Sequence, residues 1–465
     1  MTRDHADGAT EEPGPKGLFI LGGIVKEVIT APEPQAVREH LASLLQVKNL
    51  VVLLGSGASF HLGSPKTRGL TNVQVLALIE DVGGEPTTAD RELLATINPI
   101  DSGDLEKLLN GLQLASSLAA QAGQDVVTLG SGPDAKSYPR DQIDGLRRRI
   151  NRAFAEACRL PRAGRSLDAP FDADPLLAHR TFLSRIIRNR RASLPRPRVF
   201  TTNYDLAIER ALDDLGYPYI DGFSGTVDRR LNLSFYGLDF HRVETTTQSV
   251  LARVEGAVYL HKVHGSLNWR ASTDRDRLTG LESLEVKQND APAEADELVL
   301  IYPTSAKEGD TLAYPYSDLL RLLGDAVQQE DTAVIVAGYG FADAHINRLL
   351  LRSLATSSAL NVLVADPYAV LDDSDLALLT SDAQQRRVDD LGVAVKTTAI
   401  AALAKAGDPR IAVLTGEPGK FTELANLLPG APPQGETPTA VASLIEALEQ
   451  AARSNAVSIP GSGLL

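Results

Sequence analysis

The chain is almost without cysteine. Cys158 is the only one among 465 residues. One thiol excludes a disulfide framework within the chain and a four-cysteine zinc site, and it fits a reducing compartment. Basic residues are outnumbered: 46 Lys and Arg stand against 60 Asp and Glu, a net charge of −14. Binding to nucleic acid through counterion release needs clustered Lys and Arg, so this balance argues against nucleic acid as a general partner of the chain. No apolar run approaches the ~18–20 residues needed to cross a membrane. The stretch from Met1-Thr2-Arg3-Asp4-His5 onward is polar and lacks the apolar core of a signal peptide. No membrane association and a cytoplasmic location are expected.

What is present is an apolar fraction of 43%, which supports a sizeable core, in a chain of 465 residues, long enough for two or three domains. Val37, Leu41, Leu44 and Leu45 recur at helical spacing and predict a helix over 34–48. The run Asn49-Leu50-Val51-Val52-Leu53-Leu54 predicts a strand buried on both faces, as parallel sheets require. Further strands are expected at 198–202, 258–260, 298–303, 333–337 and 361–365, and a helix over 205–215 that stops at Gly216. The spacing of Leu105, Leu108, Leu109 and Leu112 places helices between 72 and 194, with a Gly- and Pro-containing loop at 128–140. The expected fold is α/β: a Rossmann-like parallel sheet with helices on both faces, a helical insertion and a small C-terminal region. The expected organisation is a tail and lead-in (1–33), a first part of the nucleotide-binding domain (34–71), a helical insertion (72–194), the second part of that domain (195–380) and a C-terminal region (381–465). Residues 430–435 read as a linker, and 438–454 as a final amphipathic helix.

Four short motifs follow one another: Leu54-Gly55-Ser56-Gly57-Ala58-Ser59, Thr201-Thr202-Asn203-Tyr204-Asp205, Val263-His264-Gly265-Ser266 and Gly338-Tyr339-Gly340-Phe341-Ala342-Asp343. Each sits at or just past the end of a strand-like run. In a parallel sheet those ends share one edge, where nucleotides bind. Glycines let a backbone approach a pyrophosphate, and amides at a helix start bind its charge; a tight turn without ligand is the plainer alternative. Asn203 and Asp205 open a helix, where capping explains one of them but not both. A His titrates near neutral pH and can serve as a base. His261 rivals His264, but strand residues three apart point to opposite faces.

In this order the motifs resemble the sirtuin family, and more closely the divergent bacterial sirtuin-like proteins that hydrolyse NAD in anti-phage defence. The resemblance spans about residues 48–70 and 196–370. It implies that NAD is the substrate. Gly55, Ser56, Gly57, Ala58 and Ser59 would cradle its pyrophosphate, Arg68 would close a loop on the nicotinamide side, and Gly338 and Gly340 would take the second phosphate or the adenosine ribose. Asn203 would hold the attacking water or the ribose, with Thr202 beside it on the cofactor. Asp205 would bind the nicotinamide carboxamide, and His264 would be the general base. Thr202 and Tyr204 stand where sirtuins have Gln and Ile. Asp366, after the last strand, is an acceptor for the adenosine ribose or a turn residue before Pro367. Asp343 and His345 continue into Ile346-Asn347, a pattern of the bacterial subgroup; an N-cap with a first-turn His accounts for them equally.

The activity the resemblance implies is hydrolysis of NAD to nicotinamide and ADP-ribose. Sirtuin deacylases carry a four-Cys zinc module that is missing here, so no zinc is expected. A restrained NADase implies control by a homo-oligomer, a ligand or a partner such as a HerA-type hexameric ATPase or another defence protein. The rival readings are a protein deacylase or ADP-ribosyltransferase, and a non-enzymatic scaffold that senses NAD or ADP-ribose. The arginines at 180, 185, 188, 190, 191, 196 and 198 form a basic run that reads as a solvated face or as a partner surface.

Overall fold

A computed structural model of the chain describes residues 16–65, 71–81, 84–98, 105–130, 135–160, 174–244, 250–271, 284–286, 298–300, 315–341, 343–369, 405 and 407–430. Its centre is a nine-stranded sheet built from β1 (Gly17–Leu21), β2 (Ile24–Ile29), β3 (Asn49–Leu54), β4 (Arg198–Thr201), β5 (Tyr219–Ile220), β6 (Val258–Lys262), β7 (Thr332–Ala337), β8 (Leu360–Ala365) and β9 (Ile411–Gly416). Their spatial order is β2-β1-β9-β8-β7-β3-β4-β6-β5. All neighbours from β9 to β5 are parallel, and β1 and β2 add an antiparallel hairpin at one edge. The parallel part starts centrally with β3, runs outward through β4 and β6, then returns across it to β7, β8 and β9. That is the dinucleotide-binding order, with its switch point between β3 and β7.

Every residue of β3 and of β7 is buried, so both faces of the sheet must be covered. On one face lie α1 (Gln35–Leu45), α6 (Leu177–Arg188), α7 (Ala207–Leu215) and α10 (Phe421–Leu427), packed through residues such as Leu41, Phe182, Leu212 and Leu424. On the other lie α8 (Tyr316–Val327) and α9 (Ala344–Thr356), together with a five-stranded antiparallel sheet that contains Gly265–Ala271. Each fully buried Val, Leu or Ile side chain contributes on the order of 1.5–3 kcal/mol, which makes these two layers the main support of the fold.

The insertion forms a third core. It comprises α2 (Asn72–Asp81), α3 (Thr88–Ile97), α4 (Leu105–Gln121) and α5 (Arg140–Ala157). Leu105, Leu108, Leu109 and Leu112 turn inward against Ile143, Leu146, Ile150 and Phe154. Asp90 caps the start of α3 in a capping box with Thr87 and pairs with Arg149 of α5.

Four local expectations change. The hairpin β1–β2 lies within the stretch read as tail and lead-in. Its two-residue Gly22-Gly23 turn has φ of 60° and 74°, which only glycine adopts freely and which suits the twist of a hairpin. The segment 128–140 is not simply a loop, because Val126–Leu129 pairs with Lys136–Pro139. Leu298–Leu300 joins the antiparallel sheet rather than the parallel one. Strand β9 lies where the periodicity is weak, yet it pairs with β8 and β1. The expected helix at 438–454, most of the 430–435 linker and Arg68 lie outside the described residues.

Candidate functional site

The four motifs meet at the carboxyl edge of the sheet and hold one another in a closed ring. Gly55 N donates to Ala337 O at 3.1 Å and Gly57 N to Gly338 O at 2.9 Å, joining the first motif to the fourth across the switch point. Thr202 N donates to Leu54 O at 3.0 Å, and Asn203 Nδ2 to Ser59 Oγ at 3.1 Å, joining the first to the second. Val263 N donates to Thr201 O and Leu267 N to Tyr204 O, each at 3.0 Å, joining the second to the third. His264 Nε2 lies 3.0 Å from Asp343 Oδ2, joining the third to the fourth.

The glycines of the two loops serve this closure. A Cβ on Gly57 would lie 2.7 Å from Gly338 Cα, and one on Gly338 would lie 2.2 Å from Ala58 N. Gly338 also has a φ of 61°, a region strained for any side chain. Backbone packs on backbone here, so these glycines are needed whether or not a ligand is present. Gly340 differs: a Cβ there meets nothing within 4 Å.

Asn203 is buried. Its backbone N–H donates to Thr201 Oγ1 at 3.0 Å, and its amide nitrogen is committed to Ser59. Its Oδ1 is buried without a hydrogen-bond partner among the described residues. An unsatisfied buried carbonyl costs about 1–3 kcal/mol, so this oxygen is an acceptor waiting for a donor. Asp205 is also buried; its Oδ1 accepts from Ala207 N at 3.0 Å and starts α7. Beneath this turn Lys262 donates to the backbone oxygens of Tyr204 and Asp205 and pairs with Glu209 at 3.0 Å. Burial raises the Glu209 carboxyl above its usual range, and the neighbouring Lys262 opposes that rise. Lys262, a cation within an apolar strand, is the signal in the sequence that marks this support.

His264 and Asp343 are both buried. Asp343 works with both oxygens. Oδ1 caps α9 by accepting from His345 N at 2.9 Å and Ile346 N at 3.3 Å, while Oδ2 faces the imidazole. With Asp343 ionised its carboxylate can only accept, which favours the imidazole tautomer that carries its proton on Nε2. His261 takes another course. It is clamped between Phe200, 4.2 Å away, and Tyr236, 4.0 Å away, with burial holding its imidazole well below the usual range. Asp366 follows β8, and its Oδ1 accepts from Tyr368 N at 2.9 Å in a tight turn.

The insertion reaches the site directly. Tyr204 and Leu267 belong to its core, and Phe154 of α5 meets the Tyr204 ring edge-on at 6.0 Å. The residue between Asn203 and Asp205 is therefore positioned by the insertion.

Residues 197–395, which contain the second, third and fourth motifs, match the family described as SIR2-like domain. Among solved structures, a Sir2 homologue mutant in complex with 2'-O-acetyl ADP ribose is similar at 15% identity and a TM-score of 0.32, covering 76% of this chain and 98% of that chain. A Sir2 homologue–NAD complex is similar at 16% identity and a TM-score of 0.32, over 78% and 94% of the two chains. No curated protein matches the chain.

Proposed function

We propose that this chain is an NAD glycohydrolase that cleaves NAD to nicotinamide and ADP-ribose. The observation that carries the reading is the closed ring at the switch point, which sets a buried acceptor, Asn203 Oδ1, and a carboxylate-backed imidazole, His264, on one sheet edge. The match of 197–395 to SIR2-like domains supports it.

Cleavage of the nicotinamide–ribose bond develops positive charge on the ribose, and water then adds at that carbon. In this reading Asn203 Oδ1 accepts a hydrogen bond from the attacking water or a ribose hydroxyl. His264 takes the proton that the water gives up, and Asp343 stabilises the imidazolium so formed. Asp205 orients the departing carboxamide. The amides of the Gly55–Ser59 loop and the open space at Gly340 take the phosphates, Thr202 lies against the ribose, and Asp366 holds the adenosine end. The single cysteine speaks against the zinc-bearing deacylase.

A cell tolerates such an activity only when it is restrained. We place the restraint in a homo-oligomer or a partner, with a defence-system ATPase as the candidate class, acting through the insertion that positions Tyr204. Incubating the full chain with NAD and separating the products tests the chemistry. Nicotinamide release is expected, and loss of about 10²-fold or more is expected in His264→Ala and in Asn203→Ala. Full cleavage in both variants would remove the assignment. Light scattering at micromolar concentration tests the restraint, which a monomer fully active alone would refute.

A further inference from the structure

The basic run between 180 and 198 divides into two groups. Some of its arginines close helix ends. Arg185 donates to the carbonyls of Ala425, Asn426 and Leu428 at the end of α10, and Arg190 donates to those of Leu45, Val47 and Lys48 at the end of α1. These contacts satisfy carbonyls that a helix leaves open. Arg196 also donates to backbone carbonyls, those of Val254 and Phe240, but these belong to no helix end, and Arg198 lies beside it. With Arg253 these two arginines line a cavity of about 130 Å³ at the amino edge of the sheet, the end opposite the four motifs. Tyr259, Gln329 and Asn49 complete its polar wall.

Charge there is unbalanced. Arg196 and Arg253 both pair with a single carboxylate, Asp239. Arg198 has neither a hydrogen bond nor an ion pair among the described residues; its guanidinium stands over the Tyr259 ring, 5.9 Å from the centroid. Arg190 lies behind this group, and burial together with the charge of Arg253 pushes it down to about 10. A chain of net charge −14 thus gathers cations in one recess. Guanidinium groups match phosphate oxygens with two parallel hydrogen bonds, and a half-buried one with no carboxylate partner is short of such an acceptor. The volume is small beside the ~300–1,000 Å³ of pockets that enclose whole organic ligands.

We infer that this recess is a second ligand site, taking a phosphate or diphosphate group between Arg198 and the Arg196–Arg253 pair. Arg198 opens β4 and Tyr259 lies near the start of β6. Those strands end next to Asn203 and His264, so an anion held here touches the roots of both. The inference stands apart from the proposed NAD chemistry, because it rests on none of the four motifs.

Calorimetric titration of the full chain with inorganic pyrophosphate at low salt tests it. One saturable site per chain is expected, weakened at least about tenfold by Arg198→Ala, which removes a charge-assisted contact. Arg198→Gln provides a second variant of similar length. Both should unfold close to the wild-type temperature without ligand, because among the described residues the Arg198 side chain makes no hydrogen bond or ion pair and only stands over the Tyr259 ring. Tighter binding of adenosine diphosphate with the same Arg198 dependence would support the site and make a nucleotide its source. Absence of pyrophosphate binding, or binding unchanged in both variants, overturns it. Arg198-dependent binding of a short oligonucleotide more tightly than pyrophosphate also overturns it, making the recess part of a nucleic-acid surface.

Discussion

His264 and Asp343 are brought to 3.0 Å from separate motifs, and the same carboxylate that faces the imidazole also caps α9. The two duties can be separated. Asp343→Asn keeps an acceptor for the cap but presents an amide N–H to Nε2 when its oxygen caps, which favours the wrong tautomer. Its unfolding midpoint should stay close to wild type, while nicotinamide release falls by about 10²-fold or more. Asp343→Ala should lose the activity and also about 1 kcal/mol of stability with the cap. An Asn variant that turns over NAD at the wild-type rate would show that the carboxylate serves α9 alone.

The interlocked loops make a second prediction about glycine. Gly57→Ala and Gly338→Ala each force a Cβ into backbone at 2.7 Å and 2.2 Å, and at Gly338 the backbone conformation is itself unfavourable. Each should destabilise the protein by roughly 2 kcal/mol or more, since nothing but backbone can give way. Gly340→Ala meets open space and should unfold like wild type, with any effect confined to the KM for NAD. Urea unfolding compared with NAD kinetics separates the outcomes. Equal stability of all three variants would mean that the loops part more easily than their contacts imply.

The central strands were legible because strands buried on both faces are apolar throughout, as 50–54 and 333–337 are. Each ends in a glycine-bearing motif, so the shared edge of the motifs followed from the parallel arrangement. The β1–β2 hairpin carried a readable signal, Gly22-Gly23 after the apolar run Leu18-Phe19-Ile20-Leu21, but it stands apart from the motifs. Strand β9 offered only Ile411-Ala412-Val413-Leu414 in a weakly patterned region, and its place is fixed by pairing with distant strands. The ring of contacts between motifs is a tertiary fact. No spacing in the chain tells that Asn203 spends its amide on Ser59, or that Asp343 turns its second oxygen to His264.

The insertion is expected to act on the site through one aromatic pair. Phe154 is fully buried and packs edge-on against Tyr204. Truncation to Ala should cost about 3–5 kcal/mol of stability. Phe154→Leu keeps most of the volume and should leave the chain folded while releasing Tyr204, lowering kcat for NAD more than it raises KM. A Leu variant with unchanged kcat would confine Phe154 to the insertion's own core.

Buried histidines set the response to acid. Burial, with His61 beside it, pushes the His179 imidazole down to about 3, and burial with the Arg198 charge keeps His261 well below its usual range. Both are neutral in the folded chain, whereas in the unfolded chain they take up protons below about 6.5. The unfolded state then binds more protons, so stability is at its full value above pH 6.5 and falls as pH drops. The loss is up to about 1 kcal/mol per pH unit for each ring. Burial also lowers His61, to about 4, and His40, so His261→Phe isolates one contribution among several. Both ring nitrogens of His261 lack hydrogen-bond partners among the described residues, and a phenyl ring keeps the stack between Phe200 and Tyr236. The variant should be at least as stable as wild type at pH 7 and should lose stability less steeply between pH 6.5 and 5. Denaturant unfolding at a series of pH values reads both quantities. A variant with the wild-type acid slope would mean that the His261 imidazole is not held neutral by the fold.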